Sequence, residues 1–591
     1  MNGSEYVAEF LRQRGVTNVF LMTGGACAFI IDAIERNPGI GYTCFHHEQA
    51  AAMAADAVWR TEPGKVGVTV ATSGPGATNL ITGIACSYFD STPSFHITGQ
   101  VNQLESAKYL DAKVRQAGFQ ETNIVDMVRP ITKYAVQVKT AEDLRREMEK
   151  AWNIAITDRK GPVLIDIPMN IQQIEMGDSI HYSAPIIEHR TPAQNQSIAE
   201  QINRFFAGAE RPLVLFGAGV GLAGAGEAVQ QFLDAHAIPF VASWNGMTHF
   251  DNRSPNYFGT IGVYGNRGAN SLIQNCDRLL VLGSRLDNRQ RGANTKNFAI
   301  GAKVLVIDVD AEELRKYAVD GYDTIHANLH DFGDVLADVV TPPQSAPWRS
   351  YLRDIHTRYY GRDISEFSTR SGTLSPYQTL QAMAPFIEED AIIIGDTGAA
   401  MCWLFQTFLR SGQTVFTAGG NSPMGYALPA AIGAALLHPT RQVIALLGDG
   451  GMQLNIQELQ TVKAHNLNIT VIVMNNGGYG IIKQFQDMNF AGRYAATGHG
   501  YSSPDFGAVT RAYGLNYRKM ETLADVSAEL FTHPHAQVVD VIIHPNTVLE
   551  PKLELGNPLH NQFPYVSDEE FLANNPFVAD KSRKNTPDTP R

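Results

Sequence analysis

The 591-residue chain has a formal charge of −12, with 44% hydrophobic and 18% charged residues. Those figures describe a globular chain of about three or four domains. The acidic balance argues against nucleic acid or an anionic membrane surface as the main partner. No apolar run reaches the roughly 18 residues of a membrane span. The opening MNGSEYVAEFLRQRG reads as an amphipathic helix, not a signal peptide. Cysteines 27, 44, 86, 276 and 402 lack metal-ligand spacing, as expected for reduced thiols in a cytoplasm.

In chain order the predicted strands are 66–72, 162–168, 212–217, 278–283, 303–309, 391–396, 442–448 and 469–476. Short apolar runs separated by helix-length segments predict parallel sheets covered on both faces. Polar stretches at 186–197 and 341–350, the latter followed by charged helical sequence, read as linkers. The expected architecture is α/β, with three doubly wound parallel-sheet domains at 1–180, 190–340 and 365–548. A tail follows over 549–591, and its end, ADKSRKNTPDTPR (579–591), is expected to be disordered.

Two of these strands end abruptly, one in Gly448-Asp449-Gly450 and the other in Asn475-Asn476-Gly477-Gly478. Ligands of open parallel sheets collect at the carboxyl ends of strands. The 24 residues between Gly450 and Asn475 leave room for one crossover helix, so the strands should be neighbours. A carboxylate and an amide oxygen are hard ligands for Mg²⁺, which completes its shell with water and phosphate oxygens. Gly450, Gly451 and a helix beginning near Asn455 should receive a diphosphate. Singly, Asp-Gly and Asn-Gly read as turns; together, after two strands, they point to a metal diphosphate.

This GDG–24–NN spacing resembles the thiamine-diphosphate (ThDP) signature, and the likeness extends over about residues 1–545, nearest to the acetolactate synthase family. The resemblance implies that Asp449, Asn476 and the Gly478 carbonyl hold Mg²⁺. It also implies that Glu48, in FHHEQAAAMAADAVWR (45–60), activates the aminopyrimidine of a cofactor bound across two subunits. Without the resemblance, Glu48 is a helix-capping glutamate. The segments 22–29, 70–100, 395–401 and 417–435 imply cofactor contacts at Gly25, Pro75, Asn79, Gly398 and Met424, alongside Gly450 and Gly451. GFQETNIVDMVRPITKY (118–134) implies Phe119 and Gln120 beside the reacting carbon.

GVGLAG (219–224) after PLVLF suggests a dinucleotide fold, but the next strand, IPFVASWN, ends without the ribose-binding acid of a nicotinamide site. The resemblance instead implies a non-redox FAD held by Gly217, Gly219, Gly259, Gly283, Arg285 and Asp308.

Departures from the family narrow the acceptor. Met169 stands where the synthases have a lysine. Gln484-Phe485 replaces a Gln-Trp pair at the acceptor pocket. Arg289 matches the arginine that meets an acceptor carboxylate, and on the sequence it is the only cation assigned there. The MTGG loop and the tail 550–571 are similar to acetolactate-synthase-like carboligases of surface-polysaccharide pathways that make yersiniose-type branched sugars. The expected function is transfer of a two-carbon unit from pyruvate to a nucleotide-linked 4-keto-deoxysugar. The alternatives are a second 2-keto acid as acceptor, simple decarboxylation, and a non-catalytic binding protein. A homodimer or homotetramer with sites at the subunit interface is expected.

Overall fold

The computed structural model describes residues 1–111, 113–176, 183–185, 189–360, 373–408, 411–532 and 535–578. The disorder expected over 579–591 lies outside the described residues.

Three parallel six-stranded sheets follow one another along the chain. The first holds β1 (Asn18–Leu21), β2 (Gly41–Cys44), β3 (Gly67–Ala71), β4 (Ser94–Gln100), β5 (Tyr134–Gln137) and β6 (Val163–Pro168), in the order β2-β1-β3-β4-β6-β5. The second holds β7 (Pro212–Phe216), β8 (Phe240–Ala242), β9 (Tyr257–Thr260), β10 (Arg278–Leu282), β11 (Lys303–Asp308) and β12 (Asp323–His326). Its order, β12-β11-β10-β7-β8-β9, is that of a dinucleotide-binding sheet. The third holds β13 (Ile392–Gly395), β14 (Thr414–Phe416), β15 (Val443–Gly448), β16 (Ile469–Asn475), β17 (Asn516–Met520) and β18 (Gln537–Ile542), in the order β14-β13-β15-β16-β18-β17. The central strands are buried along nearly their whole length, as strands covered on both faces must be.

The first and third domains join through two alanine-rich helices, Glu48–Thr61 and Ala427–Leu437. Small residues let the backbones approach so closely that a Cβ on Gly433 would lie 2.4 Å from the Ala54 carbonyl oxygen. A buried ionic network seals this junction. Arg60 donates to Asp56 and Asp90, and the Tyr426 hydroxyl donates to Asp56 Oδ2 at 2.5 Å.

At the polar stretch 186–197, Thr191 caps the helix Pro192–Phe206 through a capping box. After 341–345 the helix Ala346–Tyr359 packs against the second domain. The chain beyond β18 returns to that domain as the hairpin β19 (Lys552–Leu553) and β20 (Gln562–Phe563), then the helix Asp568–Asn574. Among the described residues, no helix is long and apolar enough to cross a membrane.

Candidate active site

Strands β15 and β16 pair from Val443↔Ile469 to Gly448↔Met474, so their carboxyl ends set Asp449 beside Asn476. A helix starts at Asp449 itself and runs to Leu454; a second helical stretch begins near Asn455 as expected, through Ile456–Glu458 into Leu459–Ala464. A glycine-rich opening looks like a loop, but here it is a first helical turn pressed against its neighbours. A Cβ on Gly450 would stand 2.4 Å from the Tyr479 ring and 3.1 Å from Met424 Cε; one on Gly451 would stand 2.0 Å from Asp396 Oδ2. The outward atom of the Asn476 amide lies 3.1 Å from Asp449 Oδ1 and 2.8 Å from the Gly478 carbonyl oxygen. With nitrogen at that point both contacts are hydrogen bonds. With oxygen there, three hard ligands converge, and a cation takes the place of the hydrogens. The donor set therefore fits Mg²⁺. Burial pushes the Asp449 carboxyl up to about 6, while the Tyr501 hydroxyl donates to its Oδ2.

Asp396, at the end of β13, is a residue the sequence reading passed over. Its buried carboxylate accepts backbone N–H groups from Gly425 (3.0 Å), Tyr426 (2.6 Å) and Ala427 (3.1 Å). Those bonds fix the loop that carries Met424 over Gly450. Gly398, two residues on, has φ +79 and caps the helix Ala399–Thr407. The signal was an acid ending an apolar strand inside GDTGAAM.

In the first domain, Glu48 opens its helix behind the N-cap His47 and is buried. Asn79 Nδ2 donates to Glu48 Oε2 at 2.9 Å, and a Cβ on Gly76 would lie 3.1 Å from Oε1. Pro75 starts the short helix ending at Asn79. Gln120, itself at φ +61, covers Gly74, whose φ of +61 and close neighbours admit only glycine. Phe119 is 84% exposed. Gly25 begins a 3₁₀ turn after β1 and has open space around it. Among the described residues, no hydrogen bond or ion pair joins Glu48 to Asp449, Asn476 or Gly478.

A cleft between the first and second domains is lined by Arg159 and Lys160 on one side and by Gly219, Gly283, Arg285, Arg289 and Asp308 on the other. Gly217 and Gly219 press on Gly283, where a Cβ on Gly217 would stand 2.2 Å from the Gly283 carbonyl oxygen. Bare backbone thus faces the cleft at the ends of β7 and β10. Burial raises the Asp308 carboxyl, and Arg285 pairs with Asp287 at 3.3 Å. Gly259 does not line the cleft: its Cα side faces Asn266 and Tyr360, so its part is packing.

The expected acceptor residues separate. Phe485 is partly exposed, while Gln484 is buried with its amide fully committed. Gln484 Nε2 donates to the Leu549 carbonyl and Leu549 N donates to Gln484 Oε1, both at 3.0 Å. In this structure Gln484 thus clasps the tail. Met169 starts the short helix after β6. Arg289 reaches the Tyr264 hydroxyl at 3.5 Å and forms no ion pair among the described residues. It is not the only cation there: Lys552 of β19 lies near Phe485 and acts electrostatically on the same Cys402 thiol as Arg289.

Three family profiles match in sequence: "Thiamine pyrophosphate enzyme, N-terminal TPP binding domain" over 1–127, its "central domain" over 199–332, and its "C-terminal TPP binding domain" over 396–541. The chain is 33% identical over 537 residues to the acetolactate synthase isozyme 2 large subunit of Escherichia coli (strain K12), covering 90% of this chain and 93% of the relative. It is 30% identical over 564 residues to the acetolactate synthase large subunit of Lactococcus lactis subsp. lactis (strain IL1403), with 94% and 95% covered. It is 31% identical over 578 residues to the probable chloroplastic acetolactate synthase 2 of Oryza sativa subsp. japonica, with 92% and 83% covered. With three domain types matched in order and similarity running through nearly the whole chain, the protein belongs to the acetolactate synthase family of thiamine-diphosphate-dependent enzymes.

Proposed function

We propose that the chain is a Mg²⁺- and ThDP-dependent carboligase. It releases CO₂ from pyruvate and delivers the remaining two-carbon unit to the carbonyl of a second 2-keto acid. The observation that carries this reading is the convergence of Asp449, Asn476 and Gly478 oxygens at two neighbouring strand ends, in a chain similar throughout to proteins named acetolactate synthase. When bound, ThDP supplies the electron sink for breaking and making carbon–carbon bonds.

The remaining work falls to side chains. Asp449, Asn476 and Gly478 hold the ion, and the first N–H groups of Asp449–Leu454 face the diphosphate. Met424 bears on the cofactor from above Gly450, in a loop that Asp396 keeps in place. Glu48, buried and held by Asn79, would hold or release a proton at its carboxylate towards the aminopyrimidine ring that ThDP supplies when bound. The family resemblance assigns this carboxylate to a second copy of the chain. The exposed Phe119, with Tyr109, Leu110 and Val114 also exposed, gives that second copy an apolar surface to cover. FAD without redox turnover is the proposed occupant of the cleft, where Gly219 and Gly283 bring backbone to its wall.

Arg289, lacking a carboxylate partner, favours an acidic acceptor. The ketosugar reading keeps as its motives Met169, Phe485, the MTGG loop and the tail 550–571. Incubation of enzyme, ThDP, Mg²⁺ and pyruvate with 2-ketobutyrate and a nucleotide-linked 4-keto-deoxysugar, with products identified by mass, tests the choice. A dominant branched-sugar product would make the ketosugar reading correct.

A further inference from the structure

Lys552 carries a buried ammonium that no side chain or carbonyl bonds among the described residues. It is 4% exposed, and its Nζ has no hydrogen-bond partner among the described residues. Its backbone is fixed on either side: Leu553 N donates to the Val263 carbonyl at 2.7 Å, and Gln406 Nε2 donates to the Pro551 carbonyl at 2.8 Å. The ammonium lies 6.0 Å from the centroid of the Phe485 ring. The charged and titratable groups that act on it are the Cys402 thiol, the Arg289 guanidinium and Glu554. Glu554 acts on the ammonium only through space and spends its Oε2 on the Tyr565 hydroxyl, and burial pushes the Cys402 thiol up to about 12, so neither bonds to the lysine. Arg289 opposes it.

Val263 ties β19 to the helix Asn288–Arg291: its carbonyl accepts from Leu553 N at 2.7 Å and its N–H donates to the Arg289 carbonyl at 2.8 Å. Two cations on segments so joined, neither ion-paired to a carboxylate among the described residues, are costly unless an anion completes the arrangement. The aromatic side chain beside the ammonium is the exposed Phe485. It lies on the helix Gly480–Phe490, directly after the ion-binding Gly478. The diphosphate is provided for elsewhere, at the start of Asp449–Leu454. The anion wanted here is therefore a different one, on the side where the acceptor arrives.

We propose that Lys552 is a specificity-determining residue: together with Arg289 it takes the carboxylate of the acceptor, and it selects acidic over neutral acceptors. This rests on the carboligase reading above. The Phe485 ring turns aside to admit the acceptor, and the carboxylate then bridges the ammonium and the guanidinium. Burial pulls the lysine down to about 8, and a bound carboxylate holds it protonated. The tail thereby supplies an ammonium to a pocket for which the sequence offered only Arg289.

The test uses the full chain with ThDP and Mg²⁺, pyruvate as donor, and two acceptors, 2-ketobutyrate and the uncharged benzaldehyde. In Lys552→Met the KM for 2-ketobutyrate should rise about tenfold or more, the usual worth of a charged hydrogen bond. Its kcat, and all constants for benzaldehyde, should stay within about twofold. Lys552→Arg should recover most of the loss. The Met variant should melt no lower than wild type, since it removes an unanswered buried charge. An unchanged KM for 2-ketobutyrate overturns the assignment, as does an equal loss for both acceptors. If Lys552→Met does not fold, the same ratio is read from Lys552→Gln and Lys552→Arg, and the same two outcomes overturn the assignment. A wild-type enzyme that forms no acetolactate from pyruvate alone and joins pyruvate to neither acceptor overturns the carboligase reading itself, and this inference with it.

Discussion

The first and third domains are the same sheet used for opposite purposes. Counted within each domain, both run 2-1-3-4-6-5. At the end of the third strand the first domain has Thr72-Ser73-Gly74-Pro75, while the third domain has Asp449-Gly450-Gly451. At the end of the first strand, Gly24 and Gly25 stand against Asp396 and Gly398. At the end of the fourth, Gln100 stands against Asn475 and Asn476. The topology gives each domain a ligand crevice at the same place. The residues at the strand ends then decide what enters: uncharged groups for a ring, hard oxygen ligands and bare N–H groups for a metal diphosphate.

The largest test of that contrast removes the charge from the third domain. Asp449→Ala should abolish ThDP binding, because water does not replace a charged ligand at equal strength. Calorimetric titration of ThDP with Mg²⁺ should show no saturable heat, and wild-type affinity would collapse the distinction between the two crevices.

The matching change in the first domain should spare binding and hit chemistry. Glu48→Gln is expected to bind ThDP normally and lose about 10²-fold or more in turnover, on the scale of general acid–base catalysis. Proton exchange at the thiazolium C2, followed by NMR, is the readout. Undiminished exchange would remove Glu48 from the mechanism.

Each of these two domains also buries a carboxylate bonded only within the protein, which sharpens the comparison at a smaller scale. Asp396 is held by three backbone N–H groups, whereas Asp166 is held by the side chains of Thr98, Gln100 and Gln137. Backbone donors cannot turn round, and a hydroxyl or an amide can. Asp396→Asn should therefore cost about 2–3 kcal/mol and Asp166→Asn about 1 kcal/mol, by the difference between a stranded and a re-paired donor. Thermal melting of the two variants checks the ranking.

The smallest expected effect is in pH dependence. Burial pushes both carboxyls up to about 6, above the roughly 3.9 of an unfolded aspartate. The folded chain holds these protons more tightly than the unfolded one. Their contribution to stability is thus full below about pH 4 and is lost as pH rises through about 6. Asp166→Asn should flatten the melting profile over that window, and an unchanged profile would remove Asp166 from the pH dependence.

What the sequence disclosed follows from where the information lies. Asp449 and Asn476 were legible because each ends an apolar run, and one crossover separates them. The eight apolar runs read as strands were legible because parallel strands are apolar on both faces. Strands such as β5, with half-buried residues, carry no such signal. The bonds of Gln484 to Leu549 were not legible, because no local pattern announces that partner. Lys552 was missed because it lies in a polar tail without periodicity, and only the fold reveals that the tail returns.

That return has a consequence for how the enzyme comes into being. Chains are made from the amino terminus, and domains fold as they emerge. The sheet that holds the metal and diphosphate can form while the hairpin bearing Lys552 is still inside the ribosome. The cofactor end of the site is therefore ready before the wall around the acceptor exists. On the proposed role of Lys552, acceptor choice would wait for the tail that Gln484 clasps at Leu549.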